Sequence, residues 1–185
     1  MGLPEWILKR MKFFIVAVDH GWQLVPHGVE TPESEAAKTR FRDLLVQTIN
    51  ARGVDLICEE SDPCRLSIAQ EIAYEHNPRI AWKNIIMSAE ERLEAGIWEA
   101  LLHRPAHTIE EAEGFYRTVD HRIAEDSIRE EFFAKTVLET VNKTNAKSIL
   151  ILCGDMHMDF LKDILEGRGK QVETNRELIA KKYWE

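Results

Sequence analysis

The chain has 185 residues, of which 44% are hydrophobic and 30% charged, with a formal net charge of −8. That is the size and make-up of one domain with a core of its own, and the acidic balance speaks against nucleic-acid backbones as partners, since these call for a basic stripe. No apolar run approaches the ~20 residues of a membrane-spanning helix, and the opening MGLPEWILKRMKFF is too short and too broken by charge for a secretory signal.

In chain order, KFFIVAVDH is a continuous apolar run that predicts a buried strand. The loop GWQLVPHGVETPE follows, and Thr31 with Pro32 then offers the start of a helix. Phe41, Leu44, Leu45, Thr48 and Ile49 keep helical spacing, and Gly53 supplies the stop. VDLICEE is a second strand, so residues 12–60 read as one right-handed βαβ unit. A helical insert is expected over about residues 62–128. SDPCRLSIAQEIAYEH stops near Asn77-Pro78, and SAEERLEAGIWEALLH opens on a Ser88–Glu91 capping box. IAWKNIIM between them reads as a short strand or an irregular segment. Thr108 with Glu111 opens a long helical tract that runs to about Thr144. SILILC, a helix from Met158 to Glu166 and the strand KQVET restore the β-α-β pattern, and RELIAKKYW closes the chain as a helix. The expectation is a single α/β domain over residues 1–185, with a mainly parallel central sheet flanked by helices.

Three strands end on polar groups: Asp19-His20, Glu59-Glu60 and Gly154-Asp155-Met156-His157. Parallel α/β sheets bind ligands at the carboxyl ends of their strands, so these ends are expected to converge. His20, Glu59 and His157 form a set suited to Zn, Mn, Co or Fe, which would lower the pKa of bound water. Without a metal, the same groups suit a histidine base oriented by a carboxylate. Glu60 and Asp155 are candidates for acid/base work or for orienting ligands. Asp19 and Gly154 are candidate substrate contacts, the glycine for its close backbone approach. Arg129 shares a helix face with His121 and Glu125 and stands just before an apolar stripe, where a guanidinium would reach an anionic group or oxyanion.

Other patterns carry less. CEESDPCR lacks the arginine spacing of a phosphate-binding cysteine loop, and its acidic residues would repel phosphate. His27, His76, His103 and His107 fall in loops or at helix ends. Cys58, Cys64 and Cys153 are an odd set without paired zinc spacing. Reduced thiols and a cytoplasmic location are therefore expected.

With AVDH ending the first strand, LICEES the second, REEFFA opening the helix before the last motif, and GDMH followed by FLKDILEGRGKQVE, the chain resembles the TraB/Tiki/ChaN/GumN superfamily, to which the erythromycin esterases are related. The likeness runs from Lys12 to Glu173, leaving Asp62 to Ile128 without an aligned motif. Ala17 stands where the family carries the first glycine of its G-x-x-H pair, and Glu130 where an aspartate is common. The resemblance implies a divalent metal and cleavage of an amide or ester bond in a small-molecule or peptide substrate. A shared fold does not transmit a substrate, so a ligand-, metal- or haem-binding regulatory module is the alternative. The oligomeric state, a homodimer included, is left open by the sequence.

Overall fold

Strands made of β-branched and aromatic residues, with no charge to solvate, are buried on both faces. In β1 (Lys12–Val18) every residue from Phe13 to Val18 is buried. The structure, a computed structural model, describes residues 11–18, 23, 32–76, 79–97 and 124–176. Asp19, His20, the Thr108–Glu111 box and the closing RELIAKKYW lie outside these, apart from the first Arg176.

After β1 come α1 (Pro32–Arg52), β2 (Leu56–Glu59), α2 (Ile68–Glu75), β3 (Ala81–Asn84), α3 (Ala89–Glu94), α4 (Ala124–Thr144), β4 (Ser148–Gly154), α5 (Asp155–Gly167) and β5 (Gln171–Asn175). The five strands form one sheet in the order β3-β2-β4-β1-β5, and each pairing is parallel. This is the expected α/β class with a parallel central sheet. Among the described residues no helix is long and apolar enough to cross a membrane.

The topology departs from the sequence expectation in the order of its strands. β1 and β2 are not neighbours, because β4 lies between them and pairs with both. β4 is buried without interruption from Ile149 to Cys153, so it takes the centre, where both of its faces are covered. Within the expected helical insert, IAWKNIIM takes the strand alternative and joins the sheet. Ser67 caps α2 by accepting from the Gln70 backbone N–H, and Ala81–Asn84 then pairs along β2. The Ser88–Glu91 capping box forms as expected, with both of its hydrogen bonds present. α3 stops early, at Gly96 with φ 74°, a conformation that favours glycine.

The two-residue period of each strand sorts the core. Phe13, Ile15, Ile149, Ile151, Leu56 and Cys58 pack under α4 and α5, against Phe133, Val137, Val141, Leu161 and Leu165. Phe14, Val16, Leu150, Leu152 and Ile57 pack on the other side with Phe41, Leu45 and Ile49 of α1 and Ile68 and Ile72 of α2. The chain therefore leaves β2 toward one face and β4 toward the opposite face. Diverging connections of this kind open a crevice between the strand ends, the usual ligand position in such sheets.

Candidate active site

The same two-residue period separates the adjacent glutamates. Glu59 closes β2 on the α2 side, and Glu60 turns toward α4 and α5. Glu59 is fully buried and well hydrogen-bonded: its oxygens accept from Ser67 Oγ, from Trp82 Nε1 at 2.8 Å and from Gln23 Nε2 at 3.2 Å. It ties the α2 cap and β3 to the end of β2.

Glu60, 2% exposed, is the hub of the site. Its Oε2 accepts from the Gly154 backbone N–H at 3.0 Å, and its Oε1 accepts from Arg129 Nη2 at 2.7 Å. Gly154 is both the last residue of β4 and the N-cap of α5, so Glu60 sits where a helix N-terminus favours negative charge. The glycine has φ −58°, which any residue adopts, so its role here is the N–H it presents and not an unusual backbone.

His157, on the first turn of α5, is 6% exposed. Its Nδ1 lies 3.1 Å from Glu130 Oε1, its Nε2 lies 3.8 Å from Glu60 Oε1, and its ring meets Phe133 edge-on at 5.6 Å. Glu130 is fully buried on α4 beside the Arg129 that holds Glu60. Arg129 also reaches Asp126 at 3.4 Å and lies 5.8 Å from the Phe133 ring centre. A carboxylate, an imidazole, a second carboxylate and a guanidinium thus form one connected chain of groups on the α4/α5 side of the sheet.

A cavity of about 370 Å³ opens on this chain, lined by Gln23, Glu60, Ser61, Asp62, Pro63, Ile86 and Arg129. Of the sequence candidates, Glu60 and Arg129 line it, and His157 and Gly154 stand against Glu60 from behind. Glu59 faces the other side of the sheet. Asp155 is not brought to the cluster. Its exposed carboxylate accepts from Arg176 Nε at 2.9 Å, next to the Arg176–Asp159 pair at 2.7 Å. Two helix positions separate Asp155 from His157, which turns their side chains about 200° apart.

Glu130, Gln23 and Ser61 were not sequence candidates. Glu130 did leave a signal, because it occupies a position of the buried stripe Glu130, Phe133, Ala134, Val137, Val141. A carboxylate within an apolar helical stripe demands a partner. Gln23 and Ser61 had no comparable mark.

The donor set bears on metal binding. Glu59 and His157 point to opposite sides of the sheet, and Arg129 occupies one oxygen of Glu60. Among the described residues no group of three or more His, Cys, Asp or Glu is arranged to hold a metal ion; His20, the third member of the expected set, lies outside them. The buried thiols Cys58 and Cys153 are also poor nucleophiles. Burial, then the Glu60, Asp155 and Glu130 carboxylates, raise Cys153 well above the ordinary thiol range. Burial pushes Cys58 up to about 12, with Lys83 opposing.

The fold and the cluster define a class: a parallel α/β domain with a Glu–Arg–His–Glu centre at the switch point of its sheet. No protein-family model, curated protein or solved structure matches the chain.

Proposed function

We propose that this chain is a hydrolase of amide or ester bonds that works in the cavity at the carboxyl ends of β2 and β4. One observation carries the proposal: Glu60 and Arg129 form a 2.7 Å pair on the cavity wall, with a buried imidazole directly behind. Glu60 is the cavity-facing group that takes a proton from an attacking water. His157, oriented through Nδ1 by Glu130, supports the protonated Glu60 from behind, and Glu60 returns the proton to the leaving group. Arg129 balances the charge that builds on the carbonyl oxygen. The resemblance to the TraB/Tiki/ChaN/GumN superfamily supports the choice of amide or ester bonds. No step is assigned to a metal.

The test combines elemental analysis with turnover on a panel of aryl esters and peptide amides, using wild type, Glu60→Gln and the His20→Ala/His157→Ala pair. Turnover by metal-free protein that is lost in Glu60→Gln supports the acid/base scheme. Near-stoichiometric metal that disappears in the histidine pair, with turnover restored by that ion, would replace it with a metal-dependent hydrolase. Folded protein that turns over no member of the panel, with or without metal, would leave a ligand-binding module.

A further inference from the structure

Among the described residues two buried side-chain polar atoms have no hydrogen-bond partner, Ser61 Oγ and Arg92 Nε. Folded chains rarely leave such atoms alone, and each one asks what completes it. Ser61 is 4% exposed and lines the cavity together with Glu60 and Arg129.

Its hydroxyl is presented by a fixed backbone. Asn84 Nδ2 donates to the Ser61 carbonyl at 2.9 Å, Gln23 Nε2 donates to the Glu60 carbonyl at 3.1 Å, and the Glu60 N–H donates to Leu152 O at 2.8 Å. A lone hydroxyl on a wall tied down at three points is preorganised to receive a group from outside the chain.

Size and charge narrow that group. About 370 Å³ suits a small ligand, and Pro63 and Ile86 supply an apolar wall. The acidic residues Glu60 and Asp62 also line the space, and Arg129 is already shared between Glu60 and Asp126. An anionic ligand would meet two carboxylates, whereas a neutral carbonyl oxygen meets the donors and adds no charge. A guanidinium has five N–H donors, so Arg129 keeps some for a ligand beyond those spent on Glu60 and Asp126. Arg92 belongs to the same neighbourhood: burial, then Arg129, lower its guanidinium from the ordinary value, and Glu60 opposes them.

We propose that Ser61 is a substrate-binding residue whose hydroxyl donates to the carbonyl oxygen of an uncharged acyl group, such as a capped peptide amide, seated against Arg129. The fate of that group rests on the hydrolase reading, but its binding does not. The test is a chemical-shift titration of the full chain with two probes on one scaffold, the neutral N-acetylalanine methylamide and the anionic N-acetylalanine. The neutral probe is expected to saturate and to move the Ser61, Asp62 and Gly154 amide resonances. The acid should bind more weakly.

Ser61→Ala should weaken the neutral probe about fivefold to tenfold, the worth of one hydrogen bond, and Ser61→Thr should restore most of it. Because the hydroxyl has no partner among the described residues, Ser61→Ala should keep or raise the thermal midpoint. No saturation by the neutral probe, tighter binding of the acid, equal affinity in Ser61→Ala, or a lowered midpoint in that variant would each overturn the proposal. Neutral-probe binding that depends on Ser61, without turnover of the ester and amide panel, would sink the hydrolase reading and keep this site. Turnover with binding unchanged in Ser61→Ala would do the reverse.

Discussion

Removing the charge of Glu60 while keeping its shape, as in Glu60→Gln, strands Arg129 beside a neutral amide. The Glu60 side chain is 3% exposed and that of Arg129 is 22% exposed, so most of the pair is out of water. Breaking a buried pair from one side costs about 3–5 kcal/mol. Arg129 keeps some hydration and retains Asp126 at 3.4 Å, which brings the expected cost of Glu60→Gln down to about 2–3 kcal/mol. A double-mutant cycle with Arg129→Met should then give a coupling of about 1.5–2 kcal/mol. The Arg42–Glu75 pair is the internal reference, since its side chains are 31% and 54% exposed. Its own cycle, Arg42→Met with Glu75→Gln, should give below about 1 kcal/mol. Urea unfolding at neutral pH, at low and at raised salt, reads all of these. The exposed coupling should shrink with salt and the buried one should persist. A Glu60–Arg129 coupling no larger than the reference, or equally sensitive to salt, would refute the account of a desolvated pair at the heart of the site.

The other predictions use different parts of the molecule. His157→Ala should fold and lose about 10²- to 10⁴-fold in turnover of any substrate that wild type accepts, and a kinetic profile like wild type would remove the imidazole from the mechanism. Arg176→Ala should change neither turnover nor binding, because Asp155 and Asp159, which it holds, point away from the cavity. A large kinetic loss would return Asp155 to the site. Asp55 accepts from the Lys147 and Ser148 backbone N–H groups at 3.0–3.1 Å and pins β4 beside β2, so Asp55→Ala should cost about 1–3 kcal/mol in the same urea assay. A thiol reagent at pH 8 should label exposed Cys64 and spare buried Cys58 and Cys153 until the chain unfolds. The folded chain holds the Cys58 proton up to about pH 12, from an ordinary value of 9.0. Stability from this thiol is therefore intact below about pH 9 and lost as pH rises toward 12. An equal alkaline slope in Cys58→Ala would contradict that.

The strand and helix pattern was legible wherever local chemistry decided it. SILILC could hardly be other than a buried strand, Ser88 with Glu91 formed the expected capping box, and Arg129 stood where an arginine was expected to reach the strand ends. What failed depended on neighbours distant in sequence. That β4 would part β1 from β2 is settled by which strand can best be covered on both faces, and the segment from Lys12 to Glu60 carries no trace of it. The choice between Glu59 and Glu60 was a question of register: a shift of one position exchanges the two sides of the sheet. Asp155 looked promising by its nearness to His157 in sequence, yet helical rotation sends the two apart. Ser61 could not be singled out in advance, because a hydroxyl without a partner is recognised through the absence of neighbours around it.

The join between β4 and α5 has a mechanical consequence. With Gly154 serving as both strand end and helix cap, no loop intervenes between the central strand and the turn that carries His157. The imidazole is thus carried on a direct continuation of the central strand, whose amides from Ile149 to Cys153 should exchange with solvent among the slowest in the chain. One extra residue inserted after Gly154 would rotate the ring by about 100° and carry it off Glu130. The same insertion after Gly169, where the chain already turns with φ 76°, would be absorbed. On the opposite wall, Ser61 is held through its carbonyl by Asn84 of β3, so the polar groups on both walls are carried by the sheet itself.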